Sequence, residues 1–185
     1  AGAAVDKRRE GDWSPFGIAC ALGHVDVATL LVERSADSAS VNRCGGGMPP
    51  LLFACRNRNL DAMRLCLGRG ADPNWANEEG GTALYVACEN GHMDAARLLL
   101  EQGAEVDRAK DSRTPDSRTP LYAACEKGHV DVARLLLDKG AEVGRAKEDG
   151  MTALFFACMY GHVDAARLLL EKGAEVDRAT DWGTP

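Results

Sequence analysis

The chain of 185 residues is 45% hydrophobic and 27% charged, with 28 acidic side chains against 22 basic ones and a formal net charge of -6. That balance offers no basic face to nucleic acid or to an anionic membrane surface, so neither is an expected partner. No apolar run approaches the roughly 20 residues that a membrane-spanning helix needs, so insertion of this segment into a membrane is not expected either.

A period of about 33 residues organises the rest and marks a stacked-repeat protein. Gly2-Ala3-Ala4-Val5 aligns with Gly140-Ala141-Glu142-Val143, each Gly standing twelve positions before a hydroxyl residue, Ser14 or Thr152. Residues 1–8 therefore read as the tail of a preceding unit. Residues 9–43 form the first complete unit, opened by Trp13-Ser14-Pro15-Phe16 and turned at Gly23-His24. Gly17 inside its first helix should weaken that helix by about 1 kcal/mol relative to Ala. Its second helix ends at Ser35-Ala36, where later units have Gly-Ala, and two extra residues precede Cys44.

The second unit, residues 44–76, is the most divergent, with Pro49-Pro50-Leu51-Leu52 at its start and Arg58-Asn59 in place of Gly-His. Arg58 is a local cost there, whereas Asn59 suits a left-handed or capping position. Gly45-Gly46-Gly47 reads as drift or as a tip shaped to a partner, and the run lacks the Lys of a phosphate-binding loop. The third unit, residues 77–109, and the fifth, residues 147–179, are regular, with Thr82 and Thr152 opening them and Gly91-His92 and Gly161-His162 at their turns. The fourth, residues 110–146, contains the tandem Asp111-Ser112-Arg113-Thr114-Pro115 and Asp116-Ser117-Arg118-Thr119-Pro120. Lengthening a loop by half costs a few tenths of a kcal/mol in closure entropy, so the stack should survive with a protruding tip. Residues 180–185 begin a further unit, and both ends falling inside units predicts a window of a longer array with apolar faces uncovered at its ends.

The fourth unit shows the chemistry most clearly. Thr119 offers a hydroxyl to free amides at a helix start, and Pro120 follows with no N–H to leave unpaired. Leu121, Ala124 and Cys125 then share one helix face. Gly128 ends the helix in a left-handed conformation that costs a residue with a Cβ about 1 kcal/mol. Asp131 suits the first turn of a second helix, with Arg134 three residues on as a local ion pair, and Asp61/Arg64, Asp94/Arg97 and Asp164/Arg167 repeat the spacing. Val132, Leu135 and Leu136 supply the buried face, and Gly140 stops the helix. Helix pairs this short cannot bury their apolar faces alone, so each unit must be covered by the next.

With Thr119-Pro120-Leu121, Gly128-His129, Leu135-Leu136-Leu137 and Gly140-Ala141, the unit resembles the ankyrin repeat. The resemblance implies an all-α solenoid of helix-turn-helix units with β-hairpin-like connecting loops. One departure recurs: the His usual in the family after Leu is Gly17, Leu52, Tyr85, Tyr122 and Phe155 here, which removes a capping hydrogen bond and leaves the helix pattern intact.

Five of the seven cysteines, Cys20, Cys55, Cys88, Cys125 and Cys158, recur at spacings of 35, 33, 37 and 33. Stacked helices lie about 8–10 Å apart and disulfide partners need Cα atoms within about 7 Å, so these should be reduced core residues. That fits a reducing compartment, cytoplasmic or nuclear. Cys44 and Cys66 lie outside the column. The four histidines, His24, His92, His129 and His162, are a full unit apart, too far to share one metal ion, and read as rings bonding the turn backbone. No catalytic constellation, cofactor or metal is expected.

By the same resemblance, the chain is a non-catalytic interaction scaffold with a protein partner, monomeric when intact, that binds along a concave groove of loop tips and first helices. An alternative is the regulatory or substrate-recruiting segment of a larger enzyme or channel. Carried over unit by unit, the groove positions are Ala21 and Leu22, Arg56 and Asn57, Glu89 and Asn90, Glu126 and Lys127, and Met159 and Tyr160. The tips add Trp13, Met48, Glu78, Glu79, Asp149 and Met151. Tyr160 with Met159 is the expected anchor, since aromatic side chains bury much area at small entropic cost. Asn74 resembles the position that asparagine hydroxylases modify in the family, with Pro73 in place of the usual Val; Asn is also a good turn former.

Overall fold

A computed structural model describes residues 14–34, 48–110, 117–147 and 149–176. Ten helices occupy the described residues, two to a unit. The first-helix layer is α1 (Pro15–Leu22), α3 (Pro50–Arg56), α5 (Ala83–Glu89), α7 (Pro120–Glu126) and α9 (Ala153–Met159). The second layer is α2 (Val25–Arg34), α4 (Leu60–Gly68), α6 (Met93–Glu101), α8 (Val130–Asp138) and α10 (Val163–Glu171). Each helix packs on its own partner and on the corresponding helix of the adjacent unit, so the fold is an all-α repeat solenoid.

The helix starts follow from hydroxyl capping. Ser14 Oγ accepts from Gly17 N at 2.9 Å, and Thr82, Thr119 and Thr152 Oγ1 accept from Tyr85, Tyr122 and Phe155 N at 3.2, 3.2 and 3.3 Å. Each bond satisfies one of the amides that a helix start leaves unpaired. Pro49 makes no side-chain cap bond for α3. Gly128 lies at φ 71, and Arg58 takes the same left-handed place at φ 56. Between units, antiparallel bridges Ala76↔Thr82, Lys110↔Arg118 and Ala146↔Thr152 close the hairpin-like loops. The Lys110↔Arg118 bridge anchors the duplicated segment, whose expected protruding tip at 111–116 lies outside the described residues. Trp13, Cys44, the three-glycine run and the part-units at both ends lie outside them too.

The core is the seam between layers, where Cys20, Cys55, Cys88 and Cys125 are fully buried beside Leu84, Leu99, Leu121 and Leu136. Burial pushes the Cys55 and Cys125 thiols up to about 12, and Cys88, flanked by both, well above its ordinary value. These are inert core residues in the absence of a neighbouring positive charge. Cys158 corrects the expectation of a wholly buried column. It is exposed, because α9 is the last first-layer helix of the described residues and nothing among them covers its far side. Cys66 lies in the core instead, its Sγ 3.8 Å from Cys20 Sγ. Exposed large apolar side chains gather in the first and last described units, among them Leu22, Val27 and Leu30 at one end and Met159, Val163 and Leu170 at the other.

A second correction concerns the ion pairs. Among the described residues, none of the four Asp-x-x-Arg spacings closes into a salt bridge; the helix-surface pair that forms is Lys172 Nζ to Asp138 Oδ1 at 2.8 Å, across adjacent units. Lys172 holds the Asp138 carboxyl below the usual carboxylate range, and Arg134 adds to this from one turn away.

Candidate functional site

The groove is built from a repeating pair, the last hairpin residue and the residue near the end of the first helix that faces it. Stepping by units, these pairs are Met48 with Arg56, Gly81 with Glu89, Arg118 with Glu126, and Met151 with Met159. The packing register one residue away is nearly invariant, Cys55, Cys88, Cys125 and Cys158. Helix geometry explains the division: the cysteine face points between layers, whereas the next residue turns about 100° toward the open side.

The sequence-predicted residues divide by environment. Met159 and Tyr160 are 63% and 49% exposed, and Arg56, Glu78 and Asn90 are exposed as well. Asn90 Nδ2 donates to Val86 O at 2.8 Å, a bond within its own helix. Glu79 pairs with Lys110 Nζ at 3.4 Å while its side chain stays 75% exposed. Glu126 is only 11% exposed, with Oε2 3.2 Å from Arg118 Nη1 and Oε1 3.9 Å from Lys127 Nζ. Its carboxylate is committed inside the protein. Asn57 donates through Nδ2 to Ala21 O, which ties the second unit to the first.

Several groove residues were not singled out by sequence. Lys110 Nζ lies 5.5 Å from the ring centroid of Tyr85, and Lys147 Nζ lies 5.9 Å from that of Tyr122, with Arg118 Cζ over the same ring at 5.6 Å. Tyr122 and Phe156 meet at 4.3 Å between centroids. The signal was present as register, since Lys110 and Lys147, and Tyr85 and Tyr122, share the 37-residue step of the cysteine column at this junction. Aromatics in the place of the family's His thus floor the groove, and lysines from the next hairpin cover them, a contact worth about 0.5–1 kcal/mol where solvent reaches it.

Three of the four histidines, His92, His129 and His162, reach backward to the preceding unit. His129 Nε2 donates to Glu89 O at 3.2 Å and His162 Nε2 to Glu126 O at 2.9 Å, and His92 Nδ1 lies 3.1 Å from Cys55 O. The rings of His129 and His162 satisfy carbonyls left free at the end of the preceding unit's first helix, whereas Cys55 O also accepts from Arg58 N at 3.0 Å. Asn74 plays the corresponding part between loops: its Oδ1 accepts from Glu105 N at 2.8 Å and its Nδ2 donates to Gly103 O at 3.1 Å. At the same register in the next unit, Asp107 Oδ2 accepts from Glu142 N at 3.1 Å, and Asp107 Oδ1 is buried without a hydrogen-bond partner.

A solenoid with a constant packing register and a varied open rim belongs to the class of helical-repeat interaction modules. Comparison with known families sharpens this: the family described as ankyrin repeats (three copies) matches residues 16–110, 59–146 and 107–180. The chain belongs to the ankyrin-repeat family, whose members are generally protein-interaction modules and typically not enzymes. It is also similar to a protein of rice, Oryza sativa subsp. japonica, named probable E3 ubiquitin-protein ligase XBOS33, at 39% identity over 54 residues. That stretch is 29% of this chain and 10% of the rice protein. Among the described residues, no helix is long and apolar enough to cross a membrane.

Proposed function

We propose that this chain is a non-catalytic scaffold that binds a protein partner along the concave groove. The observation that carries the reading is the contrast between registers: Leu84, Leu121 and Leu154 hold the packing face, while the rim five residues on in each unit runs Arg56, Glu89, Glu126 and Met159. Packing constrains the first set; in the second, Arg56, Glu89 and Met159 are free to match another surface, whereas Glu126 is held by Arg118. The anchor end is the fifth unit, where Met159 and Tyr160 are exposed beside the Phe155 and Phe156 rings, 5.4 Å apart. In this reading the net charge of -6 disfavours nucleic acid as the partner, the intact protein is a monomer, and its location is cytoplasmic.

The test compares partner capture by the intact chain with capture by two variants. Arg56→Asp with Met159→Ser and Tyr160→Ala alters the groove, and Arg97→Asp with Arg134→Asp alters the second-helix surface. Loss of the partner in the first variant and retention in the second is the expected result. The opposite pattern removes the groove assignment. A second reading, a recruiting segment within a larger enzyme, is favoured by the rice relative's name and is decided by the full-length reading frame.

A further inference from the structure

A cleft of about 280 Å³ opens between the second and third units, walled by Leu52, Tyr85 and Val86 and edged by Arg56, Glu89 and Lys110. Its counterpart one unit on is filled by the chain itself. There Arg118 places Nη1 3.2 Å from Glu126 Oε2 and its guanidinium 5.6 Å from the Tyr122 ring centroid. In the third unit Tyr85 stands in the place of Tyr122 and Glu89 in that of Glu126, but the place of Arg118 is held by Gly81. The acceptor is kept and the cation is missing. Glu89 is half-buried, and its carboxylate makes no ion pair or hydrogen bond among the described residues. Lys110 does not supply the charge, being engaged by Glu79 at 3.4 Å. A lysine also lies over Tyr122, so Lys110 over Tyr85 is common to both units and leaves the arginine's place open.

We infer that this cleft takes an arginine side chain from a protein partner, with its guanidinium on Glu89 and its methylene stem against the partly exposed Met48 and Val86. The protein provides its own template for the complex in the Arg118–Glu126 pair. Arginine is favoured over lysine because a planar fork can donate twice to one carboxylate while its stem covers apolar wall. Arg56 lines the wall contributed by α3, and its charge directs an incoming guanidinium toward α5, where Glu89 sits. The inference rests on the groove reading only in having a protein carry the arginine.

The test is an amide NMR titration of the intact chain with N-acetylarginine methylamide, with N-acetylcitrulline methylamide as the neutral isostere. The arginine probe should give saturable shifts at Gly81, Tyr85 and Glu89, and the citrulline probe should bind about fivefold more weakly, the size expected of one partly screened ion pair. Glu89→Gln should weaken the arginine probe to the citrulline level, and Gly81→Arg, which supplies the side chain in cis, should abolish its binding. A Cβ at Gly81 would meet Asn77 Oδ1 at 3.2 Å, so Gly81→Arg needs a small shift of that side chain, whereas Glu89→Gln needs none. Equal response to both probes, an undiminished response in Glu89→Gln, or no saturable shift at these amides up to about 50 mM probe overturns the inference. If the probe fails while groove substitutions still release the captured partner, the arginine assignment falls and the groove reading stands.

Discussion

The fourth unit and the second build the same helix pair with different local chemistry. In the fourth, Thr119 caps α7, Gly128 turns the chain at φ 71, and His129 reaches back to Glu89 O. In the second, Pro49 has no hydroxyl to cap α3, Arg58 occupies the left-handed turn at φ 56, the backward bond of the His passes to Asn57, and Asn59 adds a side-chain cap that His129 does not make. Asn59 Oδ1 accepts from Ala62 N at 2.9 Å to cap α4, while Asn57 bonds back to Ala21 O. What the two share is the packing face: Leu51, Cys55 and Met63 are as fully buried as Leu121, Cys125 and Leu136. Local start and stop signals are thus replaceable, and coverage by neighbouring units is not.

If coverage dominates, a core truncation must outweigh any turn or cap substitution. Leu136→Ala, at a fully buried position, should destabilise the chain by about 3 kcal/mol, and Leu30→Ala, 52% exposed in the first unit, by about 0.5 or less, both read from urea unfolding. The turn of the fourth unit comes next. A Cβ at Gly128 would stand 2.6 Å from His162 Nδ1, so Gly128→Ala strains the backbone and displaces the ring from Glu126 O. The expected cost is about 2 kcal/mol by thermal unfolding, from left-handed strain and one lost hydrogen bond.

The same turn in the second unit should respond with the opposite sign. Arg58→Gly relieves a left-handed residue that bears a Cβ and should stabilise by about 1 kcal/mol; a loss of stability would show that the Arg58 side chain holds the turn in a way its backbone does not reveal. The smallest effect is in pH. Burial holds the His92 pKa below its ordinary value, opposed by the bond to Cys55 O and aided by the nearby Arg58 and His129 charges. A histidine harder to protonate folded than unfolded keeps its full contribution above its unfolded pKa of about 6.5, and that contribution is lost as pH falls through that value toward the folded one. The melting temperature should therefore slip modestly between pH 7.5 and 5.5, and less in His92→Asn or in Arg58→Gly.

The backbone was legible because its demands are local and periodic. Thr119 before Pro120, Gly128 at a left-handed turn and Leu135-Leu136 on one face each name their conformation without reference to the rest of the chain. The cost at Arg58 and the capping role of Asn59 were legible for the same reason. Side-chain partnerships across units were not. Glu126 has nearly the same surroundings in sequence as Glu89, yet one is neutralised by Arg118, with Lys127 beside it, and the other faces a cleft, and the larger difference is a hairpin residue eight positions earlier. Lys172 finds Asp138 across 34 residues, and Cys66 meets Cys20 across 46, contacts that depend on how the second-layer helices settle against their neighbours. The exposure of Cys158 is of this kind too, since burial in a stack belongs to position in the array rather than to the repeat itself.

Native-state hydrogen exchange on the intact chain tests the coverage claim most directly. Amides of α3 to α8, flanked by described helix pairs on both sides, should be the best protected, with protection falling in α9 and α10 and in α1 and α2. Protection that is uniform along the chain, or greatest in the first or last described unit, would contradict an account in which each helix pair is held by the ones beside it.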